Sequence, residues 1–266
     1  MIKFQILCVT MNQTDFSKIN QMNIHSDVIF ANQSDTVSFD EMEFEGHSAK
    51  MITTNTRGVG KNRNLSLMYA SGDICLLSDD DIKYTSTYEK DIIEEFRKHP
   101  DADVMIFNID SNDEKRKQKY NSKTRKLYFY NRMPYGAPRI AFRRSSWQKS
   151  NVWFTTLFGG GAKYTNGEDS MFLHDLKKSN LSIYVSSVNI GIVDMSDSCW
   201  FKGANEEFYF NKGAYCAALH SYTKFLWGLY FCLRVKSKLT FSKRINYFNK
   251  GIIAYQKGKE WKDFIK

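Results

Sequence analysis

The sequence predicts an α/β domain, a mixed and mainly parallel sheet flanked by helices, followed by a basic helical C-terminal extension. Three observations predict it. Short apolar runs alternate with amphipathic ones over the first two-thirds of the chain, the pattern of strands joined through helices. Only three prolines and no Ser/Gly-rich tract occur in 266 residues, so no long flexible linker is expected. The charge is also unevenly divided. Residues 221–266 hold 11 Lys/Arg against Glu260 and Asp263, whereas residues 1–220 hold 27 basic and 27 acidic side chains. The net +9 therefore belongs wholly to the tail.

Taken in order, Ile2–Val9 reads as a buried first strand, Asp15–Met22 as a helix and Asp27–Ala31 as a second strand. Ala49–Thr53 reads as a third, short strand. Lys61–Ala70 follows Gly58 and Gly60 and reads as a helix closed by Gly72. Asp73–Ser78 is nearly all apolar, as a strand buried on both faces should be. A helix over Thr87–Lys98 ends at His99-Pro100, and Val104–Ile109 is another strand. The charge-dense Asp113–Lys126 reads as a solvated hairpin or loop, and Arg139–Arg143 as a strand. A helix is expected from Glu168 to Lys178, then strands at Ile183–Val185 and Asn189–Val193. From Glu206 the pattern is helical, with basic-aromatic segments near Phe208–Val235 and Phe241–Lys257. The expected division is a catalytic domain over 1–215, with halves at about 1–110 and 111–215, and an extension over 216–266.

Composition excludes several classes. Hydrophobic residues at 42% and charged residues at 25% exclude wholesale disorder. Five cysteines with no Cys-x-x-Cys pair read as reduced thiols of a cytoplasmic protein, not as a disulfide framework or zinc site. The N-terminus has no signal-peptide plan. The longest strongly apolar stretch, Phe225–Leu233, is half the length a spanning helix needs, so a soluble or peripheral protein is expected.

The most informative local feature is Ser78-Asp79-Asp80-Asp81, placed directly after an apolar strand. Adjacent carboxylates there repel one another and resist desolvation unless a divalent cation joins them. Ligands of open α/β sheets bind beyond the carboxyl ends of the strands, where this cluster falls. Alone, the triplet reads equally well as a solvated acidic turn.

The wider segment is more specific. It runs Arg57-Gly58-Val59-Gly60-Lys61-Asn62-Arg63-Asn64, through Ala70-Ser71-Gly72-Asp73, to Asp79-Asp80-Asp81. It resembles the donor-binding half of family 2 glycosyltransferases, which have the GT-A fold. A second match, Asn166-Gly167-Glu168-Asp169-Ser170, resembles the acidic step that supplies this family's catalytic base. Together they cover about residues 1–215.

The resemblance implies transfer of a sugar from a nucleotide-diphosphate donor, in bacterial surface-polysaccharide synthesis, with inversion. The acceptor would be a carbohydrate or a lipid-linked glycan. Asp81, assisted by Asp79, would hold Mn²⁺ or Mg²⁺; Asp79, Asp80, Lys61 and Arg63 would bind the donor diphosphate. Thr10 and Asn12, at the end of the first strand, match the place where the family meets the uracil of a UDP-sugar. The usual Asp-Asp ending of the second strand is replaced, leaving Asn32, Gln33 or Asp35 for the nucleoside. Asp169 would be the base, with Glu168 beside it. Trp200 would form a stacking wall for the acceptor sugar, with a core Trp equally readable; apart from the resemblance, Gly160-Gly161 reads as a mobile loop near donor or acceptor ahead of a plain turn.

Two alternatives stay open: a sugar nucleotidyltransferase, and a non-catalytic membrane-associated assembly protein with the same fold. The former would need a Gly-rich, Lys/Arg-bearing loop after the first strand, which Met11–Asp15 does not provide. The tail's aromatics and lysines suit an anionic membrane surface as well as packing on the domain, and no nucleic-acid partner is expected.

Overall fold

The structure, a computed structural model, describes residues 2–112, 120–128, 134–194, 203–219 and 222–264. The chain divides into two compact units, Met1–Thr155 with Asp169–Asp197, and Thr156–Glu168 with Ser198–Lys266.

The first unit is built on ten strands: β1 (Phe4–Met11), β2 (Asp27–Gln33), β3 (Ser38–Phe44), β4 (His47–Thr54), β5 (Ile74–Asp79), β6 (Ile82–Tyr84), β7 (Val104–Ser111), β8 (Arg125–Leu127), β9 (Ile140–Arg143) and β10 (Ile183–Val193). Their order is β3-β4-β2-β1-β5-β9-β7-β10-β6, with β8 also on β10. The run β4-β2-β1-β5 is parallel, as is β7-β10. Antiparallel pairs come from the β3-β4 hairpin and from short pairings of β9, β6 and β8.

Alternation along β1 and β5 sorts side chains to the two faces of the sheet. Phe4, Ile6, Cys8, Ile74 and Leu76 join Ile92 and Phe96 of helix α3 (Tyr88–Lys98) on one face. On the other, Leu7, Cys75 and Leu77 meet Leu67 of α2 (Val59–Met68) and Phe172, Leu173 and Leu176 of α5 (Glu168–Lys178). A short α1 (Lys18–Gln21) and α4 (Arg144–Ser150) complete the unit. With both faces covered, the central strands are apolar throughout, which is why they were readable as continuous runs.

The second unit holds α6 (Glu206–Leu219), α7 (Lys224–Arg234) and α8 (Phe241–Gln256). Tyr209, Cys216, Cys232, Phe248 and Ile252 form its core. Helices α6 and α8 touch backbone to backbone. A Cβ on Gly213 would strike the Phe248 carbonyl, and one on Gly251 would strike the Phe210 carbonyl.

Several elements differ from expectation. The first helix is a single turn, since Gln13, Asp15 and Ser17 are tied in a side-chain-bonded loop ahead of it. Helix α2 ends at Met68 with Tyr69 as its C-cap, so Gly72 does not close it. Gly72 instead packs against Gln5, whose amide oxygen accepts from the Ser71 and Gly72 N–H groups. The two expected late strands are one, β10, which stays continuous through register shifts against β7. Strands β3, β6 and β8 and helix α4 were not anticipated. The boundary expected near residue 215 falls inside α6, and the second unit also takes 156–168. Of the charge-dense 113–126 stretch, residues 113–119 lie outside the described residues.

Candidate active site at the carboxyl ends of the strands

The parallel pairing of β1 and β5 sets Val9 opposite Asp79, so Thr10 and the aspartates leave the sheet at the same end. Asp80 and Asp81 form the turn between β5 and β6. Thr10 Oγ1 donates to Asp80 Oδ2 at 2.5 Å. Lys18 Nζ lies 3.0 Å from the Asp80 carbonyl oxygen and 3.8 Å from its carboxylate. Asp81 is exposed, and its carbonyl accepts from the Asp194 N–H at 2.9 Å.

Consecutive side chains of α2 divide the work of fixing this corner. Asn62 is buried and its Nδ2 donates to the carbonyls of Ala31 (2.6 Å) and Thr10 (3.2 Å), pinning α2 to β1 and β2. Asn64 exchanges two hydrogen bonds with the Phe154 backbone, at 2.8 and 2.9 Å. Phe154 thereby sits beneath the Arg63 guanidinium, 5.3 Å from ring centroid to Cζ, and stacks on Phe172 of α5. Arg63, only 4% exposed, reaches two carboxylates at once. Its Nη2 donates to Asp79 Oδ1 at 3.0 Å and its Nη1 to Asp169 Oδ1. The other oxygen of Asp169 accepts from the Ala137 N–H at 3.0 Å.

The electrostatics follow from this crowding. Burial pushes the Asp79 carboxyl above the ordinary range, Arg63 opposes the rise, and Asp169 and Asp80 add to it. Although the residue is open to solvent as a whole, partial desolvation of its carboxylate, with Asp79 and Asp80 nearby, pushes Asp81 up to about 7. A site that raises the proton affinity of a carboxylate in this way also favours a hard cation, so the oxygen donor set fits Mn²⁺ or Mg²⁺. Among the described residues no group of three His, Cys, Asp or Glu side chains is placed to hold a metal ion by itself. A cation at this corner would need further oxygens from a bound ligand.

Of the residues singled out from sequence, Thr10, Arg63, Asp79, Asp80 and Asp169 come together in the first unit. Asn32 and Gln33 are buried and occupied. Asn32 Nδ2 donates to the Gln13 carbonyl and to Thr53, while its Oδ1 accepts from the Gln13 N–H; Gln33 Nε2 donates to the Gly58 carbonyl. Both shape the loops that follow β1 and precede α2. Asn12 is exposed, with a left-handed φ of 53°, and Lys61 is exposed. Asp35, also exposed, pairs with Arg57.

Glu168 and the Gly160-Gly161 turn belong to the second unit. That turn is closed by Gly159 N–H to Tyr164 carbonyl (2.8 Å) and Tyr164 N–H to Leu157 carbonyl (3.0 Å). Ahead of Glu168, Gly167 has φ +119°, and any side chain there would meet the Tyr215 ring. Lys212 Nζ donates to Asn166 Oδ1 at 3.3 Å and lies 5.3–5.5 Å from the rings of Phe208, Tyr215 and Phe231. Burial pulls its pKa down. Trp200 lies outside the described residues.

Sequence reasoning missed Lys18, the Ala137 N–H and Phe154. None carries a local pattern; each matters only because the fold brings it beside a carboxylate or the guanidinium.

Residues 20–155, just over half of the chain, match the model of glycosyl transferase family 2. The chain belongs to that family. Its fold also resembles crystal structures of S. aureus TarS. The TarS 1-349 structure superposes with a TM-score of 0.55 at 16% identity, over 98% of this chain and 93% of that one. The same fragment in complex with UDP-GlcNAc gives 0.54, again at 16% identity, with 98% and 93% covered. Against the longer TarS structure the score is 0.57 at 16% identity, with 98% of this chain but 45% of that one covered. A search of curated protein sequences returns no match. This family 2 glycosyltransferase therefore has the GT-A fold, with its carboxylate-rich corner at the strand ends where open α/β sheets bind ligands.

Proposed function

We propose that the enzyme transfers a sugar from a nucleoside diphosphate, in the first instance a UDP-sugar, to a hydroxyl of a carbohydrate or lipid-linked glycan, with inversion. The observation that carries this reading is the double ion pair of Arg63. One buried cation joins the carboxylate at the end of β5 to an acid 106 residues away at the start of α5. Donor handling and proton removal thereby share one charged hub. Family membership supports the reaction class, and TarS has been crystallised with UDP-GlcNAc and with UDP.

Asp81 chiefly, with Asp79, would hold the Mn²⁺ or Mg²⁺, which when bound supplies charge neutralisation for the departing diphosphate. Asp169 would take the proton of the acceptor hydroxyl as its oxygen bonds to the anomeric carbon. The bond from that carbon to the diphosphate oxygen breaks in the same displacement. Both oxygens of Asp169 already accept charge-assisted or backbone hydrogen bonds, which orient it. A diphosphate drawing Arg63 toward itself would free Oδ1 to accept the proton, so the donor would bind first. Thr10 would hold Asp80 in place, and Lys18 would add a second cation at the turn. A lipid-linked acceptor would bring the reaction to a cytoplasmic membrane face in surface-polysaccharide synthesis.

Thermal stabilisation by UDP, titrated with and without Mn²⁺, tests the donor half. The wild type should be stabilised by UDP chiefly when Mn²⁺ is present, and Asp81→Ala should lose the metal-dependent part. An Asp81→Ala protein that keeps the full Mn²⁺ effect would remove the metal assignment.

A further inference from the structure

The second unit carries a surface that the transfer chemistry does not use. Helix α7 is apolar nearly all round (Lys-Phe-Leu-Trp-Gly-Leu-Tyr-Phe-Cys-Leu-Arg), a composition normally reserved for buried helices. Among the described residues, one side of it is covered. Gly228 and Cys232 are buried, with Gly228 directly against the Phe248 ring of α8. The opposite side is open. Phe225 is 62% exposed, Leu226 70%, Leu229 46% and Leu233 65%, and Tyr222 just before the helix is 99% exposed. Their spacing of three and four residues makes one continuous stripe along the helix.

The charge beside the stripe identifies its occupant. From Phe208 to Lys259 the chain has ten Lys/Arg and no Asp or Glu. Arg234, Lys236, Lys238 and Lys243 are exposed on and after the C-terminal end of α7. An apolar stripe followed along the chain by cations, with Glu206 and Glu207 of α6 the acids on the element packed nearest, matches a surface that is greasy inside and negative at its rim. At 11 residues α7 is too short to cross a bilayer, and no described helix is long and apolar enough to do so. A second copy of the chain is a poor occupant, because a two-fold contact would set this cationic patch against itself.

We propose that α7 and the basic segment after it form a membrane-docking surface for anionic phospholipid. Phe225, Leu226, Leu229 and Leu233 would enter the headgroup boundary, while Arg234, Lys236, Lys238 and Lys243 would meet the lipid phosphates. The inference is independent of the transfer reaction and would stand if the donor or acceptor assignment failed.

Flotation of the full-length protein with vesicles tests it. Wild type should rise with phosphatidylcholine vesicles containing phosphatidylglycerol, should stay down with pure phosphatidylcholine, and should be released by salt. Leu226→Ser with Leu229→Ser should cut the partition coefficient by about tenfold or more, the order expected when one or two large apolar side chains no longer bury. Lys236→Gln, Lys238→Gln and Lys243→Gln together should remove the lipid-charge dependence. Both sets change exposed side chains only, so an unchanged melting temperature separates lost docking from lost folding. Failure of the folded wild type to float overturns the proposal. So does equal binding to neutral vesicles, or a salt-resistant dimer that the serine pair splits while vesicles go unbound; in that last case a second copy is the occupant.

Discussion

Arg63 and Leu226 both break the ordinary rule of burial, and they break it in opposite senses. Arg63 is a guanidinium taken 96% out of solvent, whereas Leu226 is a leucine left 70% in it. The first unit concentrates its violations inside, at the carboxylate corner; the second concentrates them outside, along α7. Desolvating a guanidinium and leaving a leucine in water each carry a cost, which for Arg63 is offset only by its two carboxylates and Phe154. Local rules broken without a structural gain are where function is expected. An internal violation fits chemistry on a bound substrate, and an external one fits attachment to another surface.

The internal violation breaks most sharply at Asp169. Asp169→Asn keeps the shape and can still accept from the Ala137 N–H, but it cannot take a proton. Transfer by the folded variant should fall by roughly 10²–10⁴, the usual worth of a positioned base, and the melting temperature should fall too, because the amide NH2 faces the Arg63 guanidinium in place of a carboxylate oxygen. Steady-state transfer assays check this, and transfer at the wild-type rate would remove Asp169 from the chemistry.

Next in size is Arg63→Met. It leaves Asp79 and Asp169 facing each other with no cation between them. Breaking a fully buried pair costs about 3–5 kcal/mol, and about 2–4 is expected here because the Asp79 side chain keeps 37% exposure. The loss should shrink as pH falls, because burial already raises the Asp79 carboxyl and a protonated Asp79 needs no cation beside it. Chemical denaturation at pH 8 and pH 5 measures the difference. Arg63→Lys should restore only part of it, since an ammonium lacks the planar fork that meets two carboxylates.

How far these features were legible in advance follows from the distance over which each acts. Strands β1, β2, β5 and β7 are buried on both faces, so their apolar runs announce them. The aspartates and Arg63 were readable because a short segment, 57–81, contains them all. Strand β3 was not: Ser-Phe-Asp-Glu-Met-Glu-Phe is exposed along nearly its whole length at the sheet edge and has no alternation to detect. The pairing of Arg63 with Asp169 was invisible for another reason. It depends on Asn64 holding Phe154 and on Phe154 stacking on Phe172, contacts between segments that no spacing connects. The stripe on α7 was visible as composition, but which side of it faces solvent depends on Gly228 meeting Phe248.

A smaller effect tests whether the two units fail separately. Gly251→Ala would press a methyl into the Phe210 carbonyl, a backbone atom with little freedom to yield. A destabilisation of about 1–3 kcal/mol is expected from such overpacking. Because Thr10, Arg63, Asp79, Asp81 and Asp169 all belong to the first unit, UDP-dependent stabilisation should survive in the folded variant. Calorimetry with and without UDP and Mn²⁺ reads both quantities, and loss of the UDP effect would show that the second unit contributes to donor binding.

The smallest effect expected is a slope in stability with pH, and its sign is diagnostic. Asp81 has a folded pKa of about 7, above the value near 3.9 of an unfolded aspartate. Between these values the native state binds more protons than the unfolded state, so stability falls as pH rises. The contribution is fully present below about pH 4 and is lost as pH passes through about 7. Asp81→Asn has no proton to lose and should flatten this part of the profile in metal-free protein. Added Mn²⁺ should reverse the wild-type slope, because the cation competes with the proton for the same carboxylate and gains as pH rises. Denaturation profiles from pH 4 to 8, with Mn²⁺ and with chelator, check both signs. A chelated wild type whose profile matches that of Asp81→Asn would mean that the acid on the β5–β6 turn is an ordinary solvated carboxylate, and the proposed metal site would lose its chief ligand.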